Sequence, residues 1–178
     1  MKTKVSNDNR LHNSSRSNSR YYYVSRDLEK AFVVNWALLQ VAGGITENLG
    51  YLRYTGSNKL YVHSITLSTE EPGTGLTKFG IWVNCTASGG SARIPNNMNL
   101  GSALLSETDC YTDEDGTGTI ITLSGGMSIQ TIRLSGSNSF TIDFSDALIV
   151  PQNKVIAIKA NSATTGTKVR ATLKFFEE

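Results

Sequence analysis

Alternation of apolar and polar positions dominates the later part of the chain. Near its end Val169, Ala171, Leu173 and Phe175 alternate with Lys168, Arg170, Thr172 and Lys174, the period-two pattern of a strand with one face buried and one in water. Phe140, Ile142 and Phe144 alternate with Thr141 and Asp143. Across residues 78–85, Phe79, Ile81, Val83 and Cys85 share a face and leave Trp82 on the other. β-rich runs at 51–54 and 60–67 flank Gly56-Ser57-Asn58, a hairpin-like turn. Runs at 119–123 and 129–134 are divided by Gly125-Gly126, and 147–150 leads through Pro151-Gln152-Asn153 into 155–160. Residues 27–41 read two ways. Asp27 caps a helix with Leu28, Phe32, Trp36 and Leu39 on one face, while Val33-Val34 and the strand-rich remainder favour an extended segment, which is the expectation.

Eight or nine strands with polar turns and almost no helix make an all-β chain, an antiparallel two-sheet sandwich of jelly-roll type. The mostly polar stretch 86–117 carries Pro95, Asn96, Asn97, Asn99 and the acidic run Asp113-Glu114-Asp115. A loop of that length in a compact domain is expected to make contacts. No fixed-period repeat appears, so propellers and solenoids are disfavoured.

The 178 residues suit about one domain, and charge divides it. Residues 1–30 hold seven basic groups against three acidic ones, a net of +4, which leaves −2 on the other 148. The expected organisation is an extended basic N-terminal arm over 1–30 and a sandwich over 31–178. Arg10, Arg16, Arg20 and Arg26 sit among serines and asparagines, followed closely by Tyr21, Tyr22 and Tyr23. A segment of this kind has no core of its own and orders only where something holds it. A neighbouring subunit is the expected holder. A +4 arm is too weak a signal for nucleic acid as a partner.

The longest apolar cluster, 31–41, is interrupted by Asn35 and Gln40, so no apolar run has the roughly 20-residue length of a membrane-spanning helix. Met1-Lys2-Thr3-Lys4 is followed by Ser6-Asn7-Asp8-Asn9-Arg10 instead of an apolar stretch, so no export signal is expected. Cys85 and Cys110 fit neither a disulfide framework nor a zinc site, and Cys85 reads as a small core residue.

The search for chemistry returns little. Of two histidines, His12 lies in the arm and His63 lies mid-strand beside Ser64, whose side chain points the other way. His63 is expected to be a hydrogen-bonded strand residue. A cupin-type metal site needs more histidines than the chain has, and the 113–116 run lacks the EF-hand pattern. Asp109, Asp113, Asp143 and Asp146 are the only candidates for paired glycosidase carboxylates, with nothing to fix their separation. No phosphate-binding glycine motif precedes a helix. No enzyme activity and no cofactor or metal are expected. Trp82, on the outward face, is a possible surface contact, for packing, a subunit or a sugar.

Val5-Ser6-Asn7-Asp8-Asn9-Arg10-Leu11, Arg20-Tyr21-Tyr22-Tyr23-Val24-Ser25-Arg26 and Ala31-Phe32 resemble the start of small virion structural proteins of tailed bacteriophages. The resemblance continues in Gly50-Tyr51-Leu52-Arg53-Tyr54 and Asn58-Lys59-Leu60-Tyr61-Val62. It returns in Pro95-Asn96-Asn97-Met98-Asn99-Leu100-Gly101-Ser102 and in Ala147-Leu148-Ile149-Val150-Pro151-Gln152-Asn153-Lys154, with Gln152 where the family pattern has glycine. The resemblance implies a jelly-roll particle component, a capsid decoration (cement) protein located in the virion and made in the host cytoplasm. Its partners would be the major capsid protein or another virion protein, and further copies of itself in a trimer. Arg10, Arg16, Arg20, Tyr21, Tyr22, Tyr23 and Arg26 would make those contacts. The near alternative is a head or tail fibre or tail-tip protein that binds a host-surface glycan or receptor.

Overall fold

The structure is a computed structural model, and it describes Val24 and residues 28–41, 43–70, 75–113 and 120–178. Eleven strands follow in order: β1 (Ala31–Val41), β2 (Thr46–Tyr54), β3 (Leu60–Glu70), β4 (Leu76–Ser88), β5 (Ser91–Arg93), β6 (Asn96–Asn97), β7 (Thr108–Thr112), β8 (Thr122–Ser135), β9 (Asn138–Val150), β10 (Val155–Ser162) and β11 (Thr167–Glu177). They form two antiparallel sheets. The first has the order β6-β1-β11-β3-β9 and the second β5-β7-β2-β10-β4-β8. With β5–β7 set aside as an insertion, eight strands remain. The first, eighth, third and sixth make one sheet, and the second, seventh, fourth and fifth make the other. That order is a jelly roll, as the strand pattern implied.

The ambiguous 27–41 segment contains a strand. Phe32, Val34 and Trp36 of β1 are buried in the core, while Asn35 between them is exposed. Alternation is cleanest in β11, where Val169, Ala171, Leu173 and Phe175 are buried and Lys168 and Arg170 are exposed. Phe175 stacks on Phe32 at 5.7 Å between ring centroids. Opposite them, Ile156, Ile158 and Ala160 of β10 and Phe79 and Ile81 of β4 complete the core between the sheets.

Four local expectations are corrected. Gly56-Ser57-Asn58 does not close a hairpin, because β2 and β3 lie in different sheets and the turn crosses between them. Residues 86–117 are not one loop: β4 runs on to Ser88, and β5, β6 and β7 follow, with β7 pairing along β2. Gly125-Gly126 does not separate two strands but lies inside β8, with φ of 65° and 79°. Gly126 falls opposite Asn84, itself at φ 57°, because Val83 pairs with Met127 and Cys85 with Gly125. Two left-handed residues facing each other keep the register and reverse which side of the sheet the following side chains occupy. Cys85 is therefore buried, but not with Phe79 and Ile81. Cys85 and Ala87 join Tyr51, Val155, Ala157 and Ile121 in a second cluster on the outer side of the sheet.

This turnover depends on glycine. A Cβ at Gly126 would stand 2.7 Å from the Val83 carbonyl oxygen, whereas one at Gly125 would meet nothing within 4 Å. Gly126→Ala is therefore expected to destabilise the fold by about 1–3 kcal/mol in urea unfolding, and Gly125→Asn by less than about 1 kcal/mol.

Candidate functional site

Arg10, Arg16, Arg20, Tyr21, Tyr22, Tyr23 and Arg26, together with His12, lie outside the described residues. Val24 is buried in a small cluster with Ala31, Tyr61 and Phe176 on the outer side of the first sheet. Tyr61 and Phe176 stack there at 5.0 Å.

Trp82 faces outward, as alternation required, and strand register shows what surrounds it. Three rows cross β2, β10, β4 and β8 on the outer face. They are Thr46–Asn161–Lys78–Arg133, Asn48–Lys159–Gly80–Thr131 and Tyr51–Ala157–Trp82–Ser128. Gly80 leaves the centre of this grid without a side chain. The Trp82 indole leans over the gap, so that a Cβ at Gly80 would lie 2.8 Å from Trp82 Nε1. Lys159 Nζ rests over the indole, 4.1 Å from the ring centroid, an exposed cation–π contact of about 0.5–1 kcal/mol. The result is an open depression of about 360 Å³ whose lining includes Lys78, Lys159, Trp82, Ser128 and Thr131 and no acidic residue. Sequence reading found Trp82 and missed the two lysines, whose convergence depends on β4 and β10 being paired.

A second feature is the edge formed by β8 and β9, which end the two sheets on the same side. Met127 pairs with Val83, and Phe140 with Leu67, so both point to the interior side. Yet Met127 is 60% and Phe140 46% exposed. Ile132, Ile142, Phe144 and Leu148 reach the core only part-buried. The inner faces are left partly in water here, and among the described residues neither β8 nor β9 has a strand beyond it. On the far side of the second sheet, the β5–β7 segment exposes Ile94, Leu100 and Leu105 at 79%, 97% and 76%.

His63 is satisfied by a partner 83 residues away. Its Nδ1 lies 3.1 Å from Asp146 Oδ1. Residues 144–147 of β9 bulge opposite His63, between the pairs Val62–Leu148 and Ser64–Asp143, and Ser145 and Asp146 adopt φ of 47° and 65°. Asp143 accepts a 2.7 Å hydrogen bond from the Ser145 amide. Both carboxylates therefore serve the bulge. Among the described residues no group of three or more His, Cys, Asp or Glu side chains is arranged to hold a metal ion.

Burial raises five groups above their ordinary values, Tyr51, Tyr54, Cys85, Cys110 and Glu177, and the last two bear on the segment before β7 and on its anchor. Burial pushes the Cys110 thiol up to about 12, so it stays protonated. Glu177 is buried at the end of β11, where burial raises its carboxyl. Hydrogen bonds from Ser106 Oγ at 2.6 Å and the Glu107 amide at 3.0 Å partly offset the rise. Glu177 thereby ties the 98–107 segment to the first sheet. Because its folded value lies above its unfolded one, the native chain holds the proton more tightly across that window. The unfolding free energy contributed by this group therefore falls as pH rises from the ordinary carboxyl range to the raised value, and is level above it. In urea midpoints taken between about pH 4 and 7, wild type is expected to lose stability relative to Glu177→Gln as pH rises; a constant difference would contradict this.

No family model matches the chain, and no curated protein matches it. Among solved structures it is similar to the infectious bursal disease virus VP2 subviral particle. That likeness has 13% identity and a TM-score of 0.24, and it covers 83% of this chain and 41% of the other. A structure of the Gx strain of the same virus gives 15% identity and a TM-score of 0.24, covering 84% and 41%. The chain thus spans about two-fifths of the length of the viral proteins it matches, and the fold assignment rests on the strand order above, not on these superpositions.

Proposed function

We propose that the chain is a virion structural protein, a capsid decoration protein that self-associates through the sandwich and grips the shell with the basic arm of residues 1–30. The observation that carries the self-association is the side formed by β8 and β9. Met127 and Phe140 point toward the interior and remain in water, on two strands of 14 and 13 residues that have no neighbour beyond them among the described residues. Soluble proteins cover, shorten or charge such edges. Here β8 carries one charged residue, Arg133, along its whole length. A second copy covers this side most economically, because each copy also presents the apolar Ile94, Leu100 and Leu105 at its opposite edge. Contacts between unlike edges are heterologous and make a ring where the rotation between copies closes, and the ring proposed is a trimer.

The assignment to a shell rests on the resemblance carried by residues 5–11, 20–26 and 147–154, together with the jelly-roll order and the charge split. Ordering an arm costs about 1–2 kcal/mol of backbone entropy per residue, so the arm would need an extensive partner surface, and its arginines favour an acidic one.

Two outcomes are expected. In sedimentation equilibrium at micromolar concentration, wild type is expected to be oligomeric, and the Met127→Asp/Phe140→Asp double variant a folded monomer by circular dichroism. A monomeric wild type would remove the self-association. Deleting residues 2–23, which spares the buried Val24, is expected to abolish binding to undecorated shells while leaving the cooperative unfolding transition of the sandwich in place. Undiminished binding of the truncated chain would remove the arm's part. The copy number per particle, by quantitative mass spectrometry, separates a shell protein in the hundreds from a fibre or tail-tip protein in the tens.

A further inference from the structure

We propose that the depression above Gly80 binds an acidic saccharide, a sugar that carries a carboxylate. This site lies on the outer face of the second sheet, whereas the contact proposed above uses the free edge of β8, so each is tested by its own readout.

The donor set defines the ligand's charge. Lys78 and Lys159 supply two ammonium groups, Trp82 Nε1 points over the glycine floor, and Ser128 and Thr131 add hydroxyls, with no carboxylate in the lining. Lys78 is also directly cross-strand from Arg133. Like charges directly opposite each other disfavour the pairing, so this edge of the depression is positively charged on both strands. Lys159 is held in place on the indole face, so its ammonium is positioned before any ligand arrives, which lowers the ordering cost of binding. An anion is the species this arrangement favours.

Size and lining narrow the anion to a sugar. About 360 Å³ falls at the small end of the roughly 300–1,000 Å³ range of small-molecule sites and exceeds what a single carboxylate or phosphate fills. Hydroxyls on the β8 side meet the hydroxyl-rich edge of a pyranose, and the Trp82 Nε1–H over Gly80 is placed to donate to one of its oxygens. Gly80 is required, because any side chain there would collide with Trp82 Nε1.

Sialyllactose and lactose share their neutral portion and differ by one acidic sugar. Titration of the full chain, followed by saturation-transfer NMR, is expected to show saturable sialyllactose binding in the millimolar range, with lactose at least about tenfold weaker. Lys78→Met/Lys159→Met is expected to weaken sialyllactose at least about tenfold while the chain stays folded by circular dichroism and its oligomeric mass is unchanged. Gly80→Val is expected to abolish binding, and raising salt to weaken it. The proposal fails if sialyllactose does not saturate, if lactose binds equally, or if the lysine variant binds as wild type does. It fails as well if acetate competes at equal concentration, which makes this a simple anion site. Displacement by a synthetic peptide of residues 109–116 at lower concentration would overturn it in favour of a contact between copies. The oligomeric mass is read separately, so failure here leaves the assembly reading standing, and the reverse.

Discussion

Two sheets share a dry core only where their inner faces meet, and in this chain they cease to meet at β8 and β9. Elsewhere the register is tight: β11 lies between β1 and β3, β10 between β2 and β4, and Ile158 and Leu173 are wholly buried. Among the described residues the last strand of each sheet has a neighbour on one side only. The two are joined through a turn at Gly136-Ser137. Phe140 and Met127 remain in water although their register places them inward. Burial of an apolar side chain contributes about 1.5–3 kcal/mol, and a row of them left exposed along this side is a standing gain for whatever covers it. The proposed self-association rests on that imbalance more directly than on any motif.

The outer face of the second sheet is organised by the facing pair Asn84 and Gly126. By reversing the sides of β4 and β8 past that point, they send Cys85 and Ala87 outward to Tyr51, Val155 and Ala157. Tyr51 then stacks on Tyr111 at 4.9 Å, and its hydroxyl donates to the Gly89 carbonyl at 3.2 Å. Arg53 Nη2 donates to the Ala87 carbonyl at 2.6 Å. Half of this face is thus packed and the other half, beyond Trp82, is left open. Trp82 stands at the border, packed on the cluster on one side and carrying Lys159 on the other.

The fold was legible because its strands alternate strongly: β11 names its buried face, and the first part of β9 its inward face, from residue types alone. What was illegible is what a single left-handed residue does to alternation. Cys85 continues the Phe79, Ile81, Val83 series in sequence, and only the φ of 57° at Asn84 moves it to the other face. Asparagine tolerates that conformation better than most residues, yet Asn84 inside a β-rich run gave no sign that it would be used. Short strands were lost for a related reason: the pairing of β7 with β2 depends on contacts some 60 residues apart, and Asp109-Cys110-Tyr111 has too little apolar pattern to announce it. At the depression, Trp82 was visible by parity, whereas Lys78 and Lys159 needed the pairing of β4 with β10. His63 with Asp146 is the same case across β3 and β9.

Strand β8 belongs to both proposed surfaces. Its free edge would meet another copy, and its outer face supplies Ser128 and Thr131 to the depression. A strand with almost every residue exposed has few contacts to fix its position, so pairing that edge would also order the side of the depression that β8 contributes. A shallow site of a few hundred Å³, open to solvent and holding one sugar, has modest affinity on its own. Repetition changes that arithmetic. Copies fixed in a ring or lattice present the same weak site at fixed spacing, and binding to a polymeric glycan then gains about 10²–10⁴ in avidity with no new contact. Weak single-site recognition is therefore what a multicopy surface protein requires, since it keeps the free chain from being captured before assembly and lets the assembled array hold.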